Sequence, residues 1–187
     1  MQPITSTLQE NISETNNTSA RGSFVWNGIV ELDNDYIIAS NDILTIEACT
    51  ELNLDQGVRL IVEGRLIIEG TISCPVIMNN QGSGDHEGIS FESVSKNKAS
   101  EINNLTIKNS DYGITIFSSN PKINNVKIEN ADKVGIDIYN GATPIFENII
   151  IEQGGQDEHG GFNSNWRYGI GISVGNFSAP IFDSVHI

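Results

Sequence analysis

The sequence predicts an all-β solenoid, because short phrases recur in it in a fixed order. An asparagine-containing phrase reads INNLTI, INNVKI and FENIII at Ile102–Ile107, Ile123–Ile128 and Phe146–Ile151. A glycine-containing phrase follows the first two copies and reads YGITI at Tyr112–Ile116 and VGIDI at Val134–Ile138. Such repetition at a fixed period is the signature of a solenoid. No stretch combines a helical apolar period with a helix cap, so the remaining apolar runs are predicted to be short strands.

The repeat has a period of 21 to 25 residues, apart from one longer gap. Its glycine recurs at Gly88, Gly113, Gly135 and Gly169, and its asparagine recurs at Asn79, Asn104, Asn125 and Asn148, with Ser184 in the same position. The longer gap follows Ile151. The sequence therefore predicts about seven coils, of which one carries a projecting loop at Gln153–Arg167.

Stacking of the coils explains why such short strands are stable. A strand of four or five residues cannot bury one face alone, but parallel stacking on its copies pairs the backbone groups of every coil. Strand alternation predicts that Ile102, Ile107, Ile114 and Ile116 point inward. The aligned asparagines are predicted to form an internal stack whose amides hydrogen-bond along the axis.

The chain divides into a leader and one domain. Met1–Gly22 is polar and aperiodic, which predicts a flexible leader, and Ser23–Ile187 is predicted to be the solenoid domain. Trp26 suits either a cap on the first coil or an ordinary first strand. Ile181–Ile187 begins a new coil, whose unpaired edge predicts either a longer solenoid or self-association through open coil ends.

Composition limits the function classes. Apolar residues make up 38% of the chain and aromatic residues only 7%, as suits a thin aliphatic core. The net charge of −14 argues against nucleic acid and anionic membranes as partners. Since no apolar run approaches the ~18 residues that a membrane span needs, no membrane insertion is expected.

The cysteines and glycosylation sequons indicate an extracellular or cell-surface location. Cys49 and Cys74 lie one coil apart, and stacked coils are separated by ~4.8 Å, so either a disulfide or two buried thiols fits the spacing. Asn-x-Ser/Thr sequons begin at Asn11, Asn16, Asn17, Asn104 and Asn176. Asn104 belongs to the repeat, so it is predicted to be internal rather than glycosylated.

The segment Ile43–Met78, with the following EGISF at Glu87–Phe91, resembles the opening coils of right-handed parallel β-helix proteins of the pectate-lyase-like superfamily. The INN and GI-x-I units match the coils that follow, and the resemblance covers roughly Gly28–Ile187. Ala48-Cys49 departs from the family's usual Pro-Gly. The resemblance implies a right-handed parallel β-helix, a single-stranded β-solenoid. It leaves function open, because the superfamily includes lyases, hydrolases, epimerases, adhesins and coils without known activity.

The insertion is the first candidate site, because loops on a rigid scaffold often carry function. Its aromatic residues offer a stacking face for a sugar ring. The alternative is a glycine-rich loop whose tryptophan only anchors it to the coils. The candidate ligand-binding residues are His159, Phe162, Trp166, Arg167 and Tyr168.

An acidic strip is the second candidate site. Asp85, Asp111 and Asp132 fall in nearly the same turn of neighbouring coils, and carboxylate oxygens are the ligands that Ca²⁺ prefers. Asp is also an ordinary turn residue, so solvated acids are the competing interpretation. The candidate metal ligands are Asp85, Glu87, Asp111, Asp132 and Asp157.

The sequence favours a non-catalytic scaffold that binds a polysaccharide over an enzyme. It shows no Ser–His–Asp order, no Cys–His zinc spacing and no phosphate-binding glycine loop. A Ca²⁺-dependent polysaccharide lyase or epimerase is the first alternative. The second is a structural protein that forms filaments or surface layers by end-to-end stacking.

Overall fold

The computed structural model describes residues 22–95, 98–152 and 170–187. These residues form an all-β structure, whose parallel strands make one curled, solenoid-like sheet. They contain no helix that is long and apolar enough to cross a membrane. The strands are β1 (Ser23–Trp26), β2 (Ile29–Leu32), β3 (Tyr36–Ile38), β4 (Ile43–Glu47), β5 (Glu51–Leu54), β6 (Arg59–Val62), β7 (Arg65–Glu69), β8 (Val76–Asn80), β9 (Gly88–Phe91), β10 (Glu101–Phe117), β11 (Lys122–Tyr139), β12 (Ile145–Glu152), β13 (Ile170–Val174) and β14 (Ile181–His186).

The strands stack in three columns, within which the paired strands run parallel. The first column contains β1, β4 and β7 and then the first residues of β10, β11, β12 and β14. The second contains β2, β5 and β8 and then the middle of β10 and β11 and the last residues of β12 and β14. The third contains β3, β6 and β9, the last residues of β10 and β11, and β13. The chain thus passes through all three columns before it returns to the first, one level further on.

The core is the aliphatic interior that the three columns enclose. Ile102, Ile107, Ile114 and Ile116 are each at most 1% exposed, which confirms the alternation predicted from the sequence. Aromatic side chains mark both ends of this core. The Trp26 and Tyr36 rings meet edge to face with centroids 4.7 Å apart, and at the other end a phenylalanine of β12 stacks on one of β14.

The repeating asparagines occupy the corner between the first and second columns, where they are not internal as predicted. The predicted hydrogen bonding along the axis is found in part, because Asn148 Nδ2 donates to Asn124 Oδ1 of the preceding level at 3.2 Å. Asn104, Asn125 and Asn148 have φ of 52°, 52° and 55°, and Ser184 shares this conformation with φ 58°. Asparagine tolerates the left-handed region better than most residues, so backbone geometry explains its recurrence. The side chains are half-buried or exposed, and the Asn104 amide donates to the Gly70 carbonyl oxygen.

Two positions of the predicted repeat shift. Val76–Met78 pairs with Leu105–Ile107, so the next residue, Asn79, is level with Lys108 and not with Asn104. Ile136 pairs with Ile172, so the glycine equivalent to Gly135 is Gly171 rather than Gly169. The segment between β7 and β8 is five residues longer than its equivalent in β10, where Asn104 alone separates the paired residues. This segment and the insertion before β13 each change the local period, which explains both errors. The same phrases therefore recur along the chain, but the number of residues between equivalent positions varies from one level to the next.

A disulfide joins Cys49 and Cys74 next to this corner, with their Cα atoms 5.0 Å apart. Cys49 N also donates to the Cys74 carbonyl oxygen, so the two levels are joined by both a covalent and a hydrogen bond. The bridge closes a loop of 25 residues. For a loop of this size the chain-entropy model gives a stabilisation of about 3 kcal/mol.

Candidate functional site

The turn between the second and third columns brings the three predicted aspartates together. Asp85 follows β8, Asp111 lies in β10 and Asp132 lies in β11. One carboxylate oxygen from each of them lies within 4.8 Å of the others. We call these three residues the acidic cluster. Three negative charges so close together repel one another, and a divalent cation or a proton would relieve this repulsion.

A register shift in β11 explains the local geometry. Ser110 pairs with Ala131 and Tyr112 with Val134, so one residue of β10 faces two of β11. The extra residue lets Asp132 extend into solvent while Lys133 faces Asp111. Lys133 Nζ lies 2.6 Å from Asp111 Oδ2 and 3.8 Å from a Glu87 carboxylate oxygen. Bulges of this kind re-aim side chains at the edge of a sheet.

The acidic cluster perturbs the protonation of Asp85. The pKa of Asp85 is raised to about 6, chiefly by burial; its side-chain hydrogen bond with Asp132 and the charges of Asp132 and Asp111 contribute in the same direction. Two carboxyl groups that share a hydrogen bond must hold one proton between them. The turn therefore holds a proton more tightly than an isolated aspartate does.

Glu87, the fourth predicted metal ligand of this turn, is paired differently. It lies outside the group of three whose oxygens converge, and it shares Lys133 with Asp111. Burial raises the pKa of Glu87, and the nearby Asp111 carboxylate acts in the same direction. A cation at the cluster would therefore be held chiefly by the three aspartates, with Glu87 beside Lys133.

His86, between two of these acids, is a structural core residue. Its side chain is 0% exposed. Its Nδ1 accepts the Gly88 N–H at 2.9 Å, and its Nε2 lies 3.0 Å from the Lys108 carbonyl oxygen, to which it donates. Burial lowers the pKa of His86 to about 4. Both ring nitrogens are in use, so His86 is not available to bind a metal.

The outer surface of the third column carries candidate functional residues that the sequence prediction missed. Thr115 and Asp137 are level with each other and point outward. Two residues further on, the Phe117 and Tyr139 rings meet edge to face with centroids 5.2 Å apart. Tyr112 lies at the start of the third-column segment of β10, and Lys133 Nζ is 5.3 Å from its ring centroid. For Thr115 and Phe117 the signal was present in the sequence, because alternation from the inward-pointing Ile114 and Ile116 places them outside. The same alternation would place Tyr112 inside, so its exposure was not predictable in this way.

The aromatic and charged groups of this surface influence one another. Burial raises the pKa of Tyr139, and the negative charges of Asp137 and Glu92 raise it further, while Arg59 opposes them. Arg59 also lowers the pKa of Glu87, although the net direction for that carboxyl is upward. We call this surface the aromatic face, which comprises Tyr112, Thr115, Phe117, Asp137 and Tyr139. It adjoins the acidic cluster through Lys133.

An open cavity of about 500 Å³ lies elsewhere, beside the last strand. It is lined by Glu129, Asn130, Ile151, Glu152, His186 and Ile187. The cavity lies on the second column, where Glu129 and Glu152 already pair with Lys127. It has no aromatic side chain to stack against a ring, so the aromatic face is the better candidate.

The predicted insertion site lies outside the described residues. This applies to Asp157 among the candidate metal ligands and to the whole candidate ligand-binding set of His159, Phe162, Trp166, Arg167 and Tyr168. The described strands that flank it are β12, which ends in the second column, and β13, which lies in the third.

Comparisons of this chain with protein-family models, with curated proteins and with solved structures found no significant match. The aromatic face and the acidic cluster are therefore the features of this chain that point to a function.

Proposed function

We propose that this chain is a right-handed parallel β-helix of about seven coils, of the pectate-lyase-like type, and that it binds a glycan on its aromatic face without turning it over. The three columns of parallel strands support the fold part of the proposal. A secreted or cell-surface location agrees with the Cys49–Cys74 disulfide, because disulfides persist in oxidising compartments.

The observation that carries the proposal is the composition of the aromatic face. Rings at Tyr112, Phe117 and Tyr139 share one surface with the hydroxyl of Thr115 and the carboxylate of Asp137. Aromatic rings stack on the apolar faces of sugars, and hydroxyl and carboxylate groups bind sugar hydroxyls. Since levels repeat every ~4.8 Å along the column, a linear polymer lying on it would meet the Phe117 ring at one level and the Tyr139 ring at the next.

The protonation of Lys133 favours binding over catalysis. A lyase needs a base that removes a proton next to a carboxylate, and Lys133 is the basic residue beside the acidic cluster. Burial alone would lower the pKa of Lys133, but its hydrogen bond and ion pairing with Asp111, and the charge of Glu87, outweigh burial and raise the pKa. A lysine held in its charged form is a poor base at neutral pH.

A glycan array followed by affinity-gel retardation of the intact chain tests the proposal. We expect retardation on at least one polysaccharide, and weaker retardation after Trp166→Ala if the insertion extends the aromatic face. No binding on the array would exclude the glycan proposal. Retardation that is indifferent to Trp166→Ala would restrict binding to the described surface.

A Ca²⁺-dependent polysaccharide lyase or epimerase is the second candidate function. It is favoured by one observation, the convergence of the Asp85, Asp111 and Asp132 carboxylates beside Lys133. In this candidate a Ca²⁺ ion on the cluster would neutralise the carboxylate of a uronate and would weaken the ion pair that keeps Lys133 protonated. The three aspartates would contribute to catalysis in this candidate only if such an ion binds to them.

Calcium calorimetry, followed by ultraviolet absorbance of unsaturated products on uronate polymers, tests this candidate. If the dissociation constant is ~100 µM, 10 mM Ca²⁺ stabilises the fold by ~2.7 kcal/mol. We expect Asp132→Asn and Asp111→Ala to remove both the binding heat and the product. Calcium binding without product would leave a cation-dependent binding scaffold, and flat heats would eliminate the candidate.

The predicted filament or surface-layer role through end-to-end stacking stays a prediction, because the structure contains a single chain. Sedimentation at increasing protein concentration tests it, and a strict monomer would argue against it.

A further inference from the structure

The turn between β13 and β14 contains a sequon, Asn176-Phe177-Ser178, whose setting differs from that of the sequon in the repeat. Asn176 is exposed, and the Phe177 side chain beside it is 101% exposed, so the turn projects from the surface. We propose that Asn176 is an acceptor for an N-linked glycan.

The hydrogen bonds that hold this turn in place do not involve the side-chain amide of Asn176. The Asn176 carbonyl oxygen accepts the Gly141 N–H at 2.8 Å, and Ala179 N–H donates to the Ala142 carbonyl oxygen at 2.9 Å. The Ser178 hydroxyl oxygen accepts the Ala142 N–H at 3.2 Å. These bonds fix the turn to the level before it through the backbone and the serine. A sugar on Asn176 Nδ2 would break none of them.

Asn104, the other described sequon asparagine, is in the opposite situation. Its Nδ2 donates to the Gly70 carbonyl oxygen at 2.8 Å, and its side chain is half-buried at the corner between the first and second columns. A Cβ added at Gly70 would lie 2.1 Å from the Asn104 carbonyl oxygen, so the two segments are already in close contact. A glycan on Asn104 would separate levels that the fold packs together. Of these two sequons, only the one at Asn176 is compatible with the folded chain.

The reaction is a group transfer from a lipid-linked oligosaccharide diphosphate, which is the co-reactant. Asn176 Nδ2 forms a bond to the anomeric carbon of the first sugar, and the bond from that carbon to the diphosphate oxygen breaks. The lipid diphosphate leaves with the bonding electron pair, and the amide nitrogen loses one proton to solvent or base. The disulfide agrees with an oxidising compartment, where such sequons are modified in secreted proteins.

Peptide mapping by mass spectrometry tests the proposal on the full chain secreted by a eukaryotic host. We expect a glycan on the Asn176 peptide, its conversion to aspartate by an amide-cleaving glycosidase, and an unmodified Asn104 peptide. Asn176→Gln should remove the modification at a small cost in melting temperature, because φ is 50° at this residue and asparagine tolerates that conformation better than glutamine. Ser178→Thr, which retains the hydroxyl, should keep it.

An unmodified Asn176 peptide in secreted, disulfide-bonded protein would overturn the proposal. A glycan on Asn104 in folded protein would overturn the structural reason given for the choice between the two sites. Since the aromatic face does not include this turn, glycan binding by the wild-type chain and by Asn176→Gln should be the same.

Discussion

Replacement of Asp132 by asparagine should stabilise this protein at neutral pH, because it removes one of three converging negative charges. The pKa of Asp85 rises from 3.8 to about 6 in the folded protein. Each unit corresponds to about 1.4 kcal/mol, so the full shift corresponds to about 3 kcal/mol. Burial is the largest cause of this shift, and solvent weakens the interactions between these partly exposed groups. We therefore assign to the charge of Asp132 about 1 kcal/mol of the destabilisation at neutral pH.

The sign of the pH dependence follows from the direction of the shift. Because the folded-state pKa of Asp85 is raised, its favourable contribution is complete below about pH 4 and is lost as the pH rises through about 6. Asp132→Asn should therefore be more stable than the wild type above pH 6 and equal to it below pH 4. For a domain of this size, 1 kcal/mol raises the melting temperature by about 2–4 °C.

Thermal melts of both proteins from pH 4 to pH 8 provide the assay. Glu31→Gln is the matched control, because it removes the same charge from an exposed strand position outside the cluster. It should change stability by less than about 0.5 kcal/mol at every pH. The reasoning would be refuted if Asp132→Asn were no more stable than the wild type at pH 7, or if its advantage persisted at pH 4.

Three further predictions concern the scaffold. Replacing Cys49 and Cys74 by serine should lower stability by about 3 kcal/mol and the melting temperature by roughly 10 °C. An unchanged melting temperature would show that the disulfide does not stabilise the folded chain. Asn125→Ala should cost about 1–2 kcal/mol in denaturant titrations because φ is 52° there, whereas Asn125→Gly should be nearly neutral; equal losses would contradict the backbone explanation. The pKa of His86 is lowered to about 4 in the folded chain, so on acidification the unfolded chain binds a proton before the folded chain does. The free energy of unfolding should therefore fall by about 3 kcal/mol between pH 6.5 and pH 4. His86→Gln should abolish this loss, and a variant that keeps the loss would show that another group is titrating.

The sequence predicted the all-β, solenoid-like arrangement of parallel strands, because its repeat follows directly from the stacking of those strands. Inward positions such as Ile107 and Ile114 must be apolar at every level, so their period survives in the sequence. The role of Asn104 was harder to predict, since one residue type serves both amide stacks and left-handed corners. The equivalence of Gly135 and Gly171 was missed because the length of an insertion is visible in the sequence but the exact point where the repeat resumes is not.

The candidate site was predicted only in part. The three aspartates share a turn, so their proximity follows from the period. The pairing of Lys133 with Asp111 depends on an extra residue in β11, which no composition or periodicity argument shows. In the sequence His86 lies between two acids, Asp85 and Glu87. Because side chains alternate, a residue between two outward side chains points inward. The two hydrogen bonds of its ring to backbone groups could not be predicted from the sequence.

The measurement that tests the central claim most directly is the dissociation constant of the bound polysaccharide for Tyr139→Ala. Phe24→Ala is the matched control, because Phe24 is a 44% exposed ring on the first column, away from the aromatic face. If the aromatic face binds glycan, Tyr139→Ala should weaken binding roughly tenfold, which corresponds to about 1.4 kcal/mol, and Phe24→Ala should bind like the wild type. Equal affinities of all three proteins would contradict the account.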